Sequence, residues 1–179
     1  MVALVKEILK DGGVGIIPTD TIYGIVGSAL SKKTIERIYR LRRRNRKKPM
    51  IILIGSVRDL ARFGVRVGRE TRKALRKLWP GKVSVILPCV SEKFFYLHRG
   101  TKTLAFRFPR NPDLIELLKA VGPLVAPSAN LEGKPPAKTA KEAKRYFGNK
   151  VDFYLDAGKL SSKPSSLVKL EKKGATVLR

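Results

Sequence analysis

The stretch Val14-Gly-Ile-Ile-Pro-Thr-Asp-Thr-Ile-Tyr-Gly24 sets a polar run directly against an apolar one. Val14 to Ile17 reads as a short buried strand ending at Pro18. Thr19-Asp20-Thr21 then places two hydroxyls and a carboxylate immediately behind it. In α/β proteins, binding sites gather just past the ends of such strands. The same residues also suit an ordinary turn whose side chains bond the backbone.

Upstream, Leu4, Val5, Ile8 and Leu9 form a helical stripe over Val2 to Lys10, closed by Gly12 and Gly13. Downstream, Ser31 is placed to cap a helix that turns Ile35, Ile38 and Leu41 inward. Met50 to Ile54 reads as a continuous apolar strand, Ser56 caps a short helix through Phe63, and Arg69 to Trp79 is a basic helix stopped by Pro80-Gly81. Strands are expected over Lys82 to Leu87 and Thr103 to Phe108, with a loop from Pro88 to Lys102. Asn111-Pro-Asp opens a helix with proline in its first turn, running to Val121. Leu124-Val-Ala is a short strand, Pro127 to Lys138 an extended loop, and Thr139 with Glu142 a capping box for a helix to Phe147. Val151 to Leu155, Ser166 to Leu170 and Ala175 to Leu178 finish as strands.

Helices alternate with strands early and strands dominate late. That pattern predicts an α/β (α+β) fold, a twisted mixed sheet with helices packed on it. No repeat, low-complexity tract or linker divides the chain, so a single domain over residues 1–179 is expected.

Thirty-nine Lys and Arg stand against 14 Asp and Glu, a net charge of +25. Such an excess attracts polyanions over a Debye length of about 10 Å, and RNA is the expected partner. Cys89 is the only cysteine, which excludes an internal disulfide and a cysteine-rich zinc site. His98 is the only histidine; a His-based triad would have to use it, and a lone His beside Arg99 reads as a surface residue. No apolar run approaches the roughly 20 residues of a membrane helix, and the first residues lack a signal-peptide pattern. A cytoplasmic protein without membrane contact is expected.

Familiar phosphate motifs are missing. Gly81-Lys82 lacks the spacing of a P-loop, and Gly12, Gly13 and Gly15 precede their strand where a dinucleotide fingerprint follows one. Three further polar segments lie beside strands. Arg40 to Lys48 carries seven cations in nine residues, a composition that also suits a solvated helix end. In Thr103-Leu-Ala-Phe-Arg-Phe108, alternation puts Leu104, Phe106 and Phe108 on one face and Thr103, Ala105 and Arg107 on the other. A strand-centre Arg107 must meet water or an anion. Ala126-Pro-Ser-Ala-Asn130 is small and polar at a strand end, and equally suits a turn.

Taken together and in order, these segments resemble the YrdC/TsaC family of threonylcarbamoyl-AMP synthases. The matching stretches are PTDTIYG at 18–24, RLRRRNRKKPMIIL at 40–53, LWPGKVSVIL at 78–87, TLAFRFP at 103–109, PLVAPSANLEGKPP at 123–136, VDFYLDAG at 151–158, SSLVKL at 165–170 and TVLR at 176–179. The resemblance covers nearly the whole chain and looks like the single-domain form of the family.

It implies a concave substrate pocket on the sheet and a reaction joining L-threonine, bicarbonate and ATP into threonylcarbamoyl-AMP and pyrophosphate for tRNA modification. Carried over position by position, Thr21, Arg107, Ser128 and Ser165 would contact threonine. Arg42, Arg44, Lys48, Thr103, Asn130, Lys138 and Arg179 would contact ATP. A Mg²⁺ would accompany ATP, held mainly by substrate oxygens and water, and no protein metal site is expected. No covalent nucleophile is implied; Arg44 and Arg107 would act electrostatically. The implied partners are tRNA on the basic surface and a threonylcarbamoyl transferase complex. The chain departs from the family pattern at Arg42, where Lys is usual, and at Lys48, Leu53, Pro164 and Lys169. Those departures leave a second reading open, a non-catalytic RNA-binding module on the same scaffold.

Overall fold

The computed structural model describes residues 2–171 and 174–178. Helix α1 (Val2–Lys10) leads into the hairpin β1 (Gly15–Pro18) and β2 (Tyr23–Ser28), antiparallel with Pro18 opposite Tyr23. Helix α2 (Lys32–Arg42) follows, its first turn capped by the Ser31 side chain, which accepts from the Thr34 N–H. Next come β3 (Ile52–Leu53), a 3-10 helix Val57–Phe63 capped by Ser56, and α3 (Arg69–Leu78). Strand β4 (Val83–Pro88), the one-turn α4 (Phe95–His98) and β5 (Thr103–Arg107) lead to α5 (Pro112–Val121), capped by Asn111. The chain ends through β6 (Leu124–Val125), α6 (Ala140–Phe147), β7 (Phe153–Tyr154), β8 (Ser166–Glu171) and β9 (Gly174–Val177).

The strands form one twisted, mixed sheet in the order β7-β1-β2-β6-β3-β5-β4-β8-β9. Pairs β1/β7, β3/β5 and β4/β8 are parallel and the other neighbours antiparallel. Two apolar clusters lie on it. The larger gathers Ile16, Ile25, Ile35, Ile38, Ile52, Phe63, Leu75, Val85 and Phe106. The smaller packs Val5 and Leu9 of α1 and Leu114 and Leu118 of α5 against Ile17, Val26, Leu53 and Leu124. Neighbouring residues of one strand, such as Ile16 and Ile17 or Ile52 and Leu53, enter different clusters, as strand alternation requires.

Several expectations change. Strand β2 is absent from the sequence reading, which took Pro18–Gly24 as a polar segment and named no strand after it. Gly27 answers close approach: a Cβ there would meet Thr34 Cγ2 at 2.4 Å. The Pro88–Lys102 loop contains α4, and Met50–Ile54 and Val151–Leu155 shrink to two-residue ladders. Glu142 does not complete a capping box on Thr139: the Thr139 hydroxyl accepts from the Glu142 N–H, but the Glu142 carboxylate takes the N–H of Lys138. His98 is wholly buried rather than superficial. Its Nδ1 accepts from the Gly100 N–H at 3.2 Å and its Nε2 faces the Ser91 carbonyl at 3.3 Å, so it closes a turn.

Candidate active site

The register of the sheet builds the site. Leu53 pairs with Arg107, Ile86 with Ala105, and Ser84 with Leu167. Leu53, Ile86, Thr103, Ala105, Arg107, Ser165 and Leu167 all line one cavity of about 460 Å³. The opposite faces of these strands carry Ile52, Val85, Leu104 and Phe106 into the larger core, and Val168 is buried on the same side of β8. One side of β5 is thus sealed by hydrophobic packing, which leaves Arg107 on the cavity side, as its alternation predicted.

The β1–β2 turn supplies the next wall. Thr19 Oγ1 donates to the Ile22 carbonyl at 2.7 Å and accepts from the Thr21 and Ile22 N–H groups at 3.2 Å. This fixes Thr21, whose hydroxyl accepts from Arg107 Nη1 at 3.1 Å. Arg107 Nη2 pairs with the Asp20 carboxylate, whose other oxygen accepts from the Arg110 N–H at 3.2 Å. Arg107 is 4% exposed, and burial pulls its pKa below the ordinary value against the opposing pull of Asp20. Its Nε has no hydrogen-bond partner.

The third wall joins α2 to the segment after β6. Arg42 donates from Nε to the Asn130 carbonyl at 3.1 Å, and from Nη2 to Asn130 Oδ1 at 3.0 Å and Ser128 Oγ at 3.2 Å. Asn130 is oriented in turn by its Nδ2 donating to the carbonyls of Leu131 and Lys134. Burial, and secondarily the nearby charge of Arg44, lowers the Arg42 pKa to about 10, so the group stays cationic at neutral pH. Arg42 Nη1, like Arg107 Nε, is buried without a partner. Two buried guanidiniums on one cavity, each with an unused donor, suit an anionic ligand.

Arg44 also lines the cavity. It lies just past α2, beyond the left-handed C-cap Arg43 (φ 50°), and donates to the carbonyls of Lys48 at 3.2 Å and Pro49 at 3.0 Å. Glu132 holds this turn from the far side, accepting from the Asn45 N–H and from Lys48 Nζ at 2.8 Å. Those two bonds depress the Glu132 pKa.

Among the residues singled out from the sequence, Thr21, Arg42, Arg44, Thr103, Arg107, Ser128 and Ser165 therefore share the cavity. Asn130 stands behind it and orients Arg42. Lys48 is drawn to Glu132, and Lys138 is exposed outside the lining. Arg179 lies outside the described residues. Ser165 Oγ is 3.0 Å from Ser84 Oγ. Of the departures from the family pattern, Leu53 and Pro164 line the cavity, and Lys169 is exposed on the strand opposite Ile86. Sequence reasoning gave no role to Asp20 or Glu132. The first was visible as the lone carboxylate of the Thr-Asp-Thr run; the second carried no signal. Among the described residues no helix is long and apolar enough to cross a membrane, and no cluster of three or more His, Cys, Asp or Glu is placed to hold a metal.

Known proteins agree with this architecture. The threonylcarbamoyl-AMP synthase of Hahella chejuensis is 32% identical over 164 residues, covering 90% of this chain and 89% of that one. The P. abyssi Sua5 structure complexed with L-threonine superposes with a TM-score of 0.90 at 27% identity over 99% of this chain and 53% of Sua5. This chain thus spans about half the length of that relative. E. coli YciO gives a TM-score of 0.86 at 26% identity, covering 99% of this chain and 87% of YciO. The family model Sua5_yciO_yrdC, described as "Telomere recombination", matches residues 7–179, and the chain belongs to that Sua5/YciO/YrdC family.

Proposed function

We propose that the protein is an L-threonylcarbamoyladenylate synthase. The threonine amine adds to bicarbonate and water leaves, giving a carbamate. A carbamate oxygen attacks the α-phosphorus of ATP, and pyrophosphate departs with the electron pair of the broken P–O bond. The nucleophile comes from substrate, so the protein's task is to position anions and offset their charge.

The observation that carries this reading is the pair of buried arginines, Arg42 and Arg107, on one cavity with a donor unused on each. A surface that only bound RNA would not need them behind a walled cavity. Arg107, with Thr21, Ser128 and Ser165, forms the threonine side. Arg42, Arg44 and Thr103 form the triphosphate side, with Lys48 and Lys138 outside the lining as further cations. The L-threonine complex of Sua5 and the names of the synthase relatives support the choice of substrates. Mg²⁺ supplies charge neutralisation along the triphosphate. The described lining contains hydroxyls but no carboxylate, which fits an ion held by phosphate oxygens and water. The mixed anhydride produced is an activated acyl group suited to a transferase that modifies tRNA.

Pyrophosphate release is the direct test. It should require threonine, bicarbonate and ATP together, and ATP turnover indifferent to threonine would remove the proposal.

A further inference from the structure

The turn between α4 and β5 holds unusual backbone beside the cavity. Arg99, Gly100 and Lys102 have positive φ (51°, 91° and 52°), and Arg99 and Lys102 are two of only three such non-glycine residues among those described. Backbone of this kind persists only where its surroundings hold it. Here the holder is His98, wholly buried with the Phe95 ring edge-on at 5.6 Å. Because Nδ1 accepts from the Gly100 N–H, the network assigns the ring proton to Nε2, which faces the Ser91 carbonyl. The His98 carbonyl accepts from the Thr101 N–H at 2.9 Å and from the Thr101 hydroxyl at 2.7 Å. With its proton engaged there, Thr101 Oγ1 accepts from the Thr103 hydroxyl at 3.3 Å. Thr101 and Thr103 both line the cavity. Neighbouring groups brace the same turn. The Lys102 carbonyl accepts from the Cys89 N–H at 2.8 Å, and the Arg99 side chain crosses to α2, lying 4.4 Å from the Tyr39 ring and 2.7 Å from Glu36. Tyr39 donates in turn to the Lys48 carbonyl, which also accepts from Arg44.

We infer that His98 and Thr101 are positioning residues for the nucleotide. The His98 ring, in its Nε2–H tautomer, shapes the turn; Thr101 passes that order to Thr103; and the Thr103 hydroxyl donates to a phosphate oxygen. A hydroxyl held in place before the ligand arrives loses little freedom on binding, and a donor aimed at an anion makes the stronger kind of hydrogen bond. The inference rests on the synthase reading, in which Thr103 belongs to the triphosphate side, yet its test reads binding alone and does not depend on catalysis.

Asparagine and glutamine imitate the two ring nitrogens separately, which makes the test. In His98→Asn the amide oxygen can stand where Nδ1 does and take the Gly100 N–H. In His98→Gln the longer amide reaches toward Ser91 and leaves the Gly100 N–H unpaired. A third variant, Thr101→Val, keeps the shape of the side chain and removes its hydroxyl. ATP and threonine are each titrated calorimetrically into the parent and the three variants. ATP affinity should fall about tenfold in His98→Gln and Thr101→Val and stay within about threefold of the parent in His98→Asn. Threonine affinity should stay within about twofold throughout, because Thr21, Arg107, Ser128 and Ser165 come from other segments. Equal ATP losses in His98→Asn and His98→Gln, or equal losses of ATP and threonine in His98→Gln, would leave His98 a purely structural role and overturn the inference. Thr101 is exposed, so Thr101→Val decides the matter if the His98 variants do not fold, and unchanged ATP affinity there overturns the relay. A parent that binds no ATP overturns the synthase reading together with the inference; a parent that binds ATP as its three variants do overturns the inference alone.

Discussion

Replacing Arg107 with Met tests the core of the site, because Arg107 ties two walls of the cavity together and, in the proposed synthase, would also meet threonine. Its guanidinium is 4% exposed, and the Asp20 side chain paired with it is 10% exposed. Removing one member of a buried pair strands the other charge and typically costs about 3–5 kcal/mol. Arg107→Met therefore leaves Asp20 with only the Arg110 N–H, and Asp20→Asn leaves Arg107 facing Thr21 and a neutral amide, with no charge to offset its own. At about 2–4 °C per kcal/mol for a chain of this size, each change should lower Tm by roughly 6–20 °C. The double variant removes both charges and should cost much less than the sum, with a coupling of about 2 kcal/mol or more. Calorimetric titration then separates the ligand role. Arg107→Met should abolish threonine binding while ATP binding survives, because Arg42 and Arg44 remain in place. Additivity of the two single changes within about 0.5 kcal/mol would refute the pairing argument. Undiminished threonine binding in Arg107→Met would refute the ligand assignment.

Arg44→Ala should act on the other substrate, raising the ATP requirement by about 2–5 kcal/mol equivalent while threonine titrates as in the parent; equal weakening of both ligands would contradict it. Asp152 bridges elements 138 residues apart, accepting from the Val14 N–H at 2.7 Å and from both Arg37 Nη atoms. The Arg37 bonds hold its pKa below the ordinary 3.8, so its stabilisation is present above that value and fades as pH falls further. Asp152→Asn should accordingly melt earlier than the parent at pH 7, with the gap narrowing below about pH 4; a gap that widens on acidification would reverse the sign.

Helix boundaries were legible because caps are local. Ser31, Asn111 and Thr139 each bond an N–H three residues on, and these bonds belong to the same few residues that the sequence displays. The alternation that turns Arg107 away from Leu104 and Phe106 is local too. Strand β2 was not legible. Tyr23-Gly-Ile-Val-Gly-Ser is buried along nearly its whole length, so it shows no polar-apolar alternation, and its two glycines read as turn residues. The burial of His98 was likewise hidden, since its partners lie in a loop that had no pattern to read.

By itself, then, the sequence determined the mixed α/β class, the family, the order of elements apart from β2 and the one-turn α4, and seven residues of the cavity, Thr21, Arg42, Arg44, Thr103, Arg107, Ser128 and Ser165. The tertiary structure alone decided which charges act. Arg107 meets Asp20 across 87 residues and Arg42 meets Asn130 across 88, while Lys48 is turned aside to Glu132 across 84. In the sequence these side chains are equivalent members of a basic composition. Desolvation and a specific partner separate them, and both exist only once the sheet brings distant segments together.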